Sequence, residues 1–301
     1  MVSHWDELRV REVAAGEVRG RWRRLGSARA GLRRIEVAPG ARSMPVHVHA
    51  ETDEVFYVLG GSGRCWQDGR TCAIGAGDCV VHRAKREAHT LLAGPDGLDV
   101  LAFGRETGAD LTWLPRAQVF WAGARWIPGD AAHPFEAEAA AGPLEAAEAD
   151  AERPPNVVAL DAVDPLEWGE GDVRAVVRDL GEAAGTRDAG LQHLAVAPEM
   201  LSGPPHCHST EEEIFVVLGG AGVALLGDEE HPVRAGHLVH RPPGTGVAHA
   251  FRAGAQGLSL LAFGTREPDD ICFYPRSQKV SLRGVRAIFR VQRVDYWDGE
   301  A

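Results

Sequence analysis

The sequence predicts an all-β protein in which one barrel-forming unit occurs twice, and three observations support this. A chain of 301 residues is near the upper limit for one hydrophobic core, so two domains of about 150 residues are expected. The chain holds 36 Gly and 18 Pro and shows little helical periodicity, which favours short strands joined by turns. The segment HVHAETDEVFYVLGG at 47–61 returns as HCHSTEEEIFVVLGG at 206–220, which indicates an internal duplication.

A second pair of segments extends this duplication. GLDVLAFGRETGADLTWLPRAQ at 97–118 returns as GLSLLAFGTREPDDICFYPRSQ at 257–278. Between the copies, residues 131–155 are rich in Ala, Pro and acids and show no apolar periodicity, as is typical of a linker with at most a short exposed helix. The sequence therefore predicts an N-terminal barrel at 1–130, a linker at 131–155 and a C-terminal barrel at 156–301.

Within each repeat, short runs of Val, Leu, Phe and Tyr alternate with Gly-containing segments, a pattern typical of a β-sandwich or barrel. Gly60–Gly63 and Gly219–Gly222 are expected to form hairpin turns, since glycine tolerates positive φ. The extensions at 105–128 and 265–297 follow the repeats and are expected to pack across the interface between the barrels.

Composition narrows the range of partners. A formal charge of −11 argues against a nucleic-acid partner. No apolar run approaches the roughly 20 residues that span a bilayer, and the first residues, MVSHWDELRV, do not resemble a signal peptide. Five Cys without a CxxC pair indicate reduced thiols. We therefore expect a cytoplasmic protein without membrane or nucleic-acid partners that takes a small organic ligand, and a homo-oligomer is compatible with the sequence.

Four polar residues recur in both repeats with nearly the same spacing. On a strand, residues i and i+2 project to the same face, so the two His of each HxH segment point together. Three imidazoles and one carboxylate are a ligand set for a divalent first-row transition metal. The predicted ligands are His47, His49, Glu54 and His89 in the first repeat, and His206, His208, Glu213 and His249 in the second.

A purely structural role is the alternative to metal binding for each of these residues. A lone His is more often a surface or core residue than a ligand, but six of 13 His at duplicated positions beside a duplicated Glu favour metal binding. Cys207 lies between two predicted ligands, yet strand alternation turns it to the opposite face, where packing is expected. The dipeptides His82-Arg83 and His240-Arg241 also recur, and either support of the ligands or a structural role fits them.

These motifs resemble those of the cupin superfamily, and two copies in one chain resemble a bicupin. Two His separated by one residue, then Glu and then Gly, are met by His47, His49, Glu54 and Gly61 and by the equivalent residues of the second repeat. RPPGTGVAH ending at His249 fits the second cupin motif, whereas RAKREAH ending at His89 departs from it. The resemblance implies two tandem double-stranded β-helix, or jelly-roll, barrels and a bound metal.

The resemblance leaves the reaction open, because cupins include dioxygenases, decarboxylases, isomerases and binding proteins. Two full ligand sets favour an enzyme over a non-catalytic binding or sensing module, with two divalent ions per chain drawn from Fe, Mn, Ni, Zn or Cu. No catalytic residue can be named. Strand alternation places apolar residues on the metal side, which favours an oxygenase acting on a small aromatic or enolic compound over a decarboxylase or isomerase. These residues are Phe56, Val58, Leu91, Phe215, Val217 and Phe251.

Overall fold

The computed structural model describes residues 1–26, 30–105, 107, 110–123, 125–129 and 132–300. Over these residues the chain forms two tandem antiparallel β-barrels, each built from one large and one small sheet. Residues 130 and 131, where the sequence places the start of the linker, lie outside the described residues.

The large sheet of the N-terminal barrel has its long strands at the centre. Its order is β13-β8-β6-β9-β4-β3-β2, with β7 paired to β6. The small sheet has the order β12-β11-β10-β5. The bounds are β2 Val10–Ala15, β3 Val18–Arg24, β4 Ala30–Val37, β5 Val48–His49, β6 Glu54–Gln67, β7 Arg70–Gly75, β8 Asp78–His82, β9 His89–Arg105, β10 Thr112–Leu114, β11 Val119–Ala122, β12 Arg125–Ile127 and β13 Val157–Ala159.

The C-terminal barrel repeats this arrangement. Its large sheet has the order β1-β20-β18-β21-β16-β15-β14, with β19 paired to β18, and its small sheet is β17-β22-β23-β24. The bounds are β1 Val2–His4, β14 Leu166–Trp168, β15 Ala175–Asp179, β16 Gly190–Val196, β17 Cys207–His208, β18 Glu213–Leu226, β19 Glu229–Arg234, β20 His237–Arg241, β21 His249–Gly264, β22 Ile271–Tyr274, β23 Lys279–Leu282 and β24 Ala287–Arg290.

The two barrels exchange one short strand each. Strand β1, at the start of the chain, pairs with β20 of the C-terminal barrel. Strand β13, which follows the linker, pairs with β8 of the N-terminal barrel. Each exchanged strand leads into a short 3₁₀-helix, Trp5–Glu7 or Leu160–Ala162. Each large sheet is thus completed by residues from the other half of the chain.

The glycine-rich segments lie inside long strands, so the expected hairpin turns are wrong. Strand β6 runs through Gly60–Gly63, with shifts of register against β9 on both sides of Gly61. Gly61 has a φ of +76°, and a Cβ there would lie 2.3 Å from the carbonyl oxygen of Gly97. Glycine is therefore required by a β-bulge that bends the strand. Gly220 has the same role in β18.

Four apolar clusters stabilise the described part of the molecule. One fills the N-terminal barrel, one fills the C-terminal barrel, and a third lies between the large sheets of the two barrels. A small fourth cluster joins Val13 and Val18 to Phe135 of the linker. Phe103 and Phe263 stack at this interface with ring centroids 4.9 Å apart. Strands β10–β12 and β22–β24 of the two extensions belong to the small sheets and contribute no side chain to the interface core among the described residues. The two extensions do meet in one ion pair, in which Nη2 of Arg105 donates to Glu267 over 2.9 Å. The expected contact between the extensions is therefore polar and not part of the apolar interface core.

The linker contains a partly buried helix, α1 (Pro134–Ala140), where the sequence predicts at most an exposed one. Glu138 of α1 is fully buried and lies between the guanidinium groups of Arg42 and Arg116. Helix α2 (Leu180–Ala183) is the other α-helix of the described chain, and neither helix is long enough to cross a bilayer.

Candidate metal centres

Three neighbouring strands bring the first predicted ligand set together inside the N-terminal barrel. Backbone hydrogen bonds join His47 to His89, so their side chains share one face of the sheet. The Nε2 atoms of His47 and His89 lie 3.3 and 3.1 Å from Oε2 of Glu54. Nε2 of His49 lies 3.8 Å from the same oxygen. All four predicted ligands therefore converge on one point.

A backbone carbonyl oxygen near Nδ1 determines the tautomer of His47 and of His89. Nδ1 of His47 lies 2.8 Å from the carbonyl oxygen of Pro45, and Nδ1 of His89 lies 3.1 Å from that of Glu87. A carbonyl can only accept, so Nδ1 carries a proton, and in the neutral form of each ring Nε2 then presents its lone pair towards Glu54. Lone pairs that face a carboxylate need a cation between them, which is the arrangement of a metal site.

The second ligand set has the same geometry in the C-terminal barrel. Nε2 of His208 and of His249 lie 3.3 and 2.8 Å from Oε2 of Glu213. Donor atoms of His206, Glu213 and His249 all lie within 4.8 Å of one another. Nε2 of His208, Nε2 of His249 and Oε2 of Glu213 are buried without a hydrogen-bond partner in the described chain. Buried polar atoms that converge but form no hydrogen bond fit a site that holds an ion.

The electrostatics of both clusters point to the same conclusion. Burial opposes ionisation of both glutamates, but the surrounding histidines outweigh it and hold the pKa of Glu54 and of Glu213 well below the usual range. Burial and neighbouring imidazoles lower the pKa of His89 and of His206 to about 4. Both carboxylates are thus ionised at neutral pH, and the imidazoles of His89 and His206 are neutral there, the protonation states that metal ligands need.

One histidine in each centre carries a second carboxylate behind it. Nδ1 of His49 donates to Asp110 over 2.6 Å, and Nδ1 of His208 donates to Asp270 over the same distance. Burial opposes protonation of His208, but the carboxylates of Asp270 and Glu213 raise its pKa to about 10. Burial likewise opposes protonation of His49, and Asp110 and Glu54 raise its pKa. A carboxylate behind a metal-bound imidazole orients the ring and increases its basicity.

Asp110 and Asp270 are residues of the candidate centres that the sequence analysis missed. They occupy equivalent positions in the duplicated segments 97–118 and 257–278. A search of those segments for repeated acids could have found them. Because they lie 61 and 62 residues from their histidine partners, no local spacing connects them to the ligand motif.

Strand register corrects the comparison of the two His-Arg dipeptides. Glu54 lies opposite His82 in the first barrel, whereas Glu213 lies opposite Arg241 in the second. His82 is therefore equivalent to Arg241, and the repeated dipeptide is out of register by one residue. Both side chains lie on the same face as the glutamate ligand, since directly opposite residues of antiparallel strands share a face.

The six apolar residues predicted to line the ligand pockets lie inside the barrels. Phe56, Val58 and Leu91 belong to the core of the N-terminal barrel, and their counterparts Phe215, Val217 and Phe251 belong to that of the C-terminal barrel. All six are buried, and Phe215 approaches His249 with ring centroids 5.3 Å apart. None of them lines either of two surface cavities, of about 380 and 1010 Å³. They contribute to packing beneath the clusters.

Comparison with known proteins identifies the fold. The family model for the cupin domain matches the chain twice, over residues 33–98 and 192–262. The chain is a two-domain cupin. No curated protein matches its sequence.

Solved structures similar to this two-domain cupin include bacterial oxalate decarboxylases. A deletion variant of the Bacillus subtilis enzyme is 16% identical, with a TM-score of 0.61 over 88% of this chain and 76% of that one. A formate complex of the Lactobacillus farciminis enzyme is 15% identical, with a TM-score of 0.61 over 88% of this chain and 86% of that one. A further structure, 15% identical with a TM-score of 0.59 over 88% and 77% of the two chains, belongs to a study of Mn(II) centres in the Bacillus subtilis enzyme. At these identities, the likeness shows the shared fold.

Proposed function

We propose that this two-domain cupin is a metal-dependent enzyme with two divalent transition-metal centres, and that it decarboxylates a small carboxylic acid. The observation that carries the proposal is the completeness of both centres, each with three His, one Glu and an Asp behind one His. Two complete centres favour an enzyme over a non-catalytic binding module. The solved structures that share its two-barrel arrangement support decarboxylation as the reaction.

The residues present define how an ion would be held. In the first centre it would lie among the Nε2 atoms of His47, His49 and His89 and Oε2 of Glu54. A bound divalent ion supplies a Lewis acid for a substrate carboxylate oxygen. The ionised glutamate neutralises part of the ion's charge, and Asp110 keeps His49 in the tautomer that presents Nε2.

Packing also bears on the oxygenase hypothesis. That hypothesis rests on an apolar pocket lined by the inward strand residues, and those residues fill the barrel cores instead. The argument for an aromatic substrate therefore loses its basis, and we place decarboxylation ahead of oxygenation.

The proposal is tested on tag-free protein loaded with Mn(II). Elemental analysis should find two ions per wild-type chain and one in each of the variants H47A/H49A and H206A/H208A, with H231A, at a surface histidine, as the matched control. Carbon dioxide release from oxalate, malonate and related acids should follow the metal content. Fewer than two ions would contradict the ligand assignment, and two ions without release from any acid would favour a binding module. Oxygen uptake with catechol or a flavonol, without decarboxylation, would favour an oxygenase.

A further inference from the structure

The two centres differ at one equivalent position next to the glutamate ligand. The first barrel has His82 there and the second has Arg241. His82 is buried and stacks on the predicted ligand His89, with ring centroids 3.7 Å apart and planes at 7°. The first centre therefore has an imidazole at this position, packed against one of its predicted ligands.

The second centre is bordered by a buried cation. Arg241 is 7% exposed, and its Nη2 donates to the carbonyl oxygen of Val247 over 2.7 Å. Its Nε is buried without a hydrogen-bond partner among the residues that the structure describes. Val247 belongs to the loop that leads to the predicted ligand His249. The guanidinium thus lies between the Glu213 end of β18 and the loop that positions His249.

Arg241 differs from the other buried arginines in lacking a carboxylate partner. Arg23 is paired with Glu36, and Arg42 is paired with Glu17 and Glu138. The carboxylate of Glu213 acts on this guanidinium only from a distance, and Nε–H of Arg241 has no hydrogen-bond partner in the described chain. A buried donor without a partner is costly, so this position calls for an acceptor from outside the chain.

We propose that Arg241 binds a carboxylate of the small-molecule ligand of the second centre, so that the second centre takes an anion in preference to a neutral ligand. This inference rests on the proposed function. Nε–H and an Nη–H of a guanidinium form the fork that binds a carboxylate in a bidentate manner, and Nε–H of Arg241 has no partner of its own. Arg33 lies near His49 of the first centre, but it already interacts with other groups of the chain.

Binding measurements test this assignment independently of turnover. The Mn(II)-loaded H47A/H49A variant retains only the second centre and is titrated calorimetrically with malonate and with malonamide, its neutral analogue. We expect malonate to bind at least 10-fold more tightly than malonamide, and Arg241→Gln to weaken malonate binding at least 10-fold without loss of metal. Arg252→Gln, at an exposed arginine paired with Glu230, is the matched control and should change neither value.

A second comparison covers the case in which Arg241→Gln fails to fold. The H206A/H208A variant, which retains only the first centre and an intact Arg241, should bind malonate at least 10-fold more weakly than H47A/H49A does. Equal affinity of the two centres, absence of malonate binding at the second centre, or unchanged affinity in a folded Arg241→Gln variant would overturn the assignment. Malonate binding at Arg241 without carbon dioxide release would support it while contradicting the decarboxylase proposal.

Discussion

At the level of single residues, oxygen acceptors behind the imidazoles fix the geometry of both centres. Prolyl carbonyls of Pro45 and Pro204 accept from His47 and His206 over 2.8 Å. Asp110 and Asp270 accept from the middle histidine of each set. A carbonyl fixes the tautomer, whereas a carboxylate also makes the imidazole a stronger electron donor. The two aspartates should therefore contribute to metal affinity without contacting the ion.

Replacing either aspartate by asparagine should weaken its own centre. D110N and D270N each remove the charge behind one histidine, and we expect the metal affinity of that centre to fall about 10- to 100-fold. Titration against a chelator of known affinity measures the effect, with the other centre disabled by its double histidine variant. D228N, at an exposed aspartate, is the control. Unchanged affinity in D110N and D270N would mean that the aspartates serve only the fold.

The sequence predicts some positions of the two centres but not others. The clustering of the four predicted ligands in each barrel was predictable because strand alternation links residues two apart and because both repeats carry them. Equivalence of His82 and Arg241 was not predictable, since the repeated His-Arg dipeptide suggests a register one residue away from that of the strands. Equivalent positions in the two barrels are defined by the pairing of the strands and not by identical residue types in the aligned repeats.

At the level of elements, helix α1 illustrates how distant charges determine burial. The Ala- and Glu-rich composition of the linker favours a solvent-exposed segment, and the helix itself is correctly placed in that segment. Its burial depends on Arg42 and Arg116, which lie 96 and 22 residues earlier in the chain. The sequence of the linker alone therefore does not reveal that Glu138 is paired with these two arginines.

Neutralising Glu138 should detach this helix. E138Q leaves Arg42 and Arg116 without their shared buried carboxylate, and loss of one partner of a buried ion pair costs roughly 3–5 kcal/mol. We expect urea unfolding of E138Q to show a free energy of unfolding lower by about that amount. E136Q alters an exposed glutamate of the same helix and should unfold like the wild type. Equal stability of E138Q and E136Q would show that the ion pairs are not required for docking.

The exchanged strands are the second element whose role depends on a distant partner. Met1 donates its terminal amine to the carbonyl oxygen of His240, and the backbone N–H of Trp5 donates to the carbonyl of Gly236. The guanidinium of Arg34, from the other barrel, lies 4.3 Å from the Trp5 ring centroid. Residues 1–8 therefore cover an edge of the C-terminal sheet and contact both barrels.

Deleting residues 1–8 should destabilise the C-terminal barrel although they belong to the N-terminal half of the sequence. The deletion exposes the edge of β20 and the apolar surface that Trp5 and Leu8 cover. We expect the free energy of unfolding to fall by about 2 kcal/mol or more. Thermal unfolding measures the change. Removal of the residues after Val291 is the control, because residues 292–300 are exposed and outside any strand. A midpoint unaltered by the N-terminal deletion would contradict a stabilising role for the exchanged strand.

At the level of the whole molecule, the duplication predicts two barrels but not how they associate. The interface core combines side chains from β4, β6, β8 and β9 with those from β16, β18, β20 and β21. These strands are apolar on both faces, because one face lines a barrel and the other meets the second barrel. The sequence shows such strands as continuous apolar runs and does not reveal which face meets which partner. Shared strands and a shared core should make the barrels unfold together.

Cooperative unfolding is therefore the expectation for the intact chain, and Phe263 is the residue that tests it. Scanning calorimetry of the metal-free wild type should give one transition with equal calorimetric and van't Hoff enthalpies. Phe263→Ala removes a fully buried ring that stacks on Phe103 across the interface, at a cost of roughly 3–5 kcal/mol. Because this loss falls between the barrels, we expect it to separate their unfolding into two transitions. Phe289→Ala, at a half-exposed position on β24, should leave the single transition unchanged. Two transitions in the wild type, or one unshifted transition in Phe263→Ala, would mean that each barrel is stable without its partner.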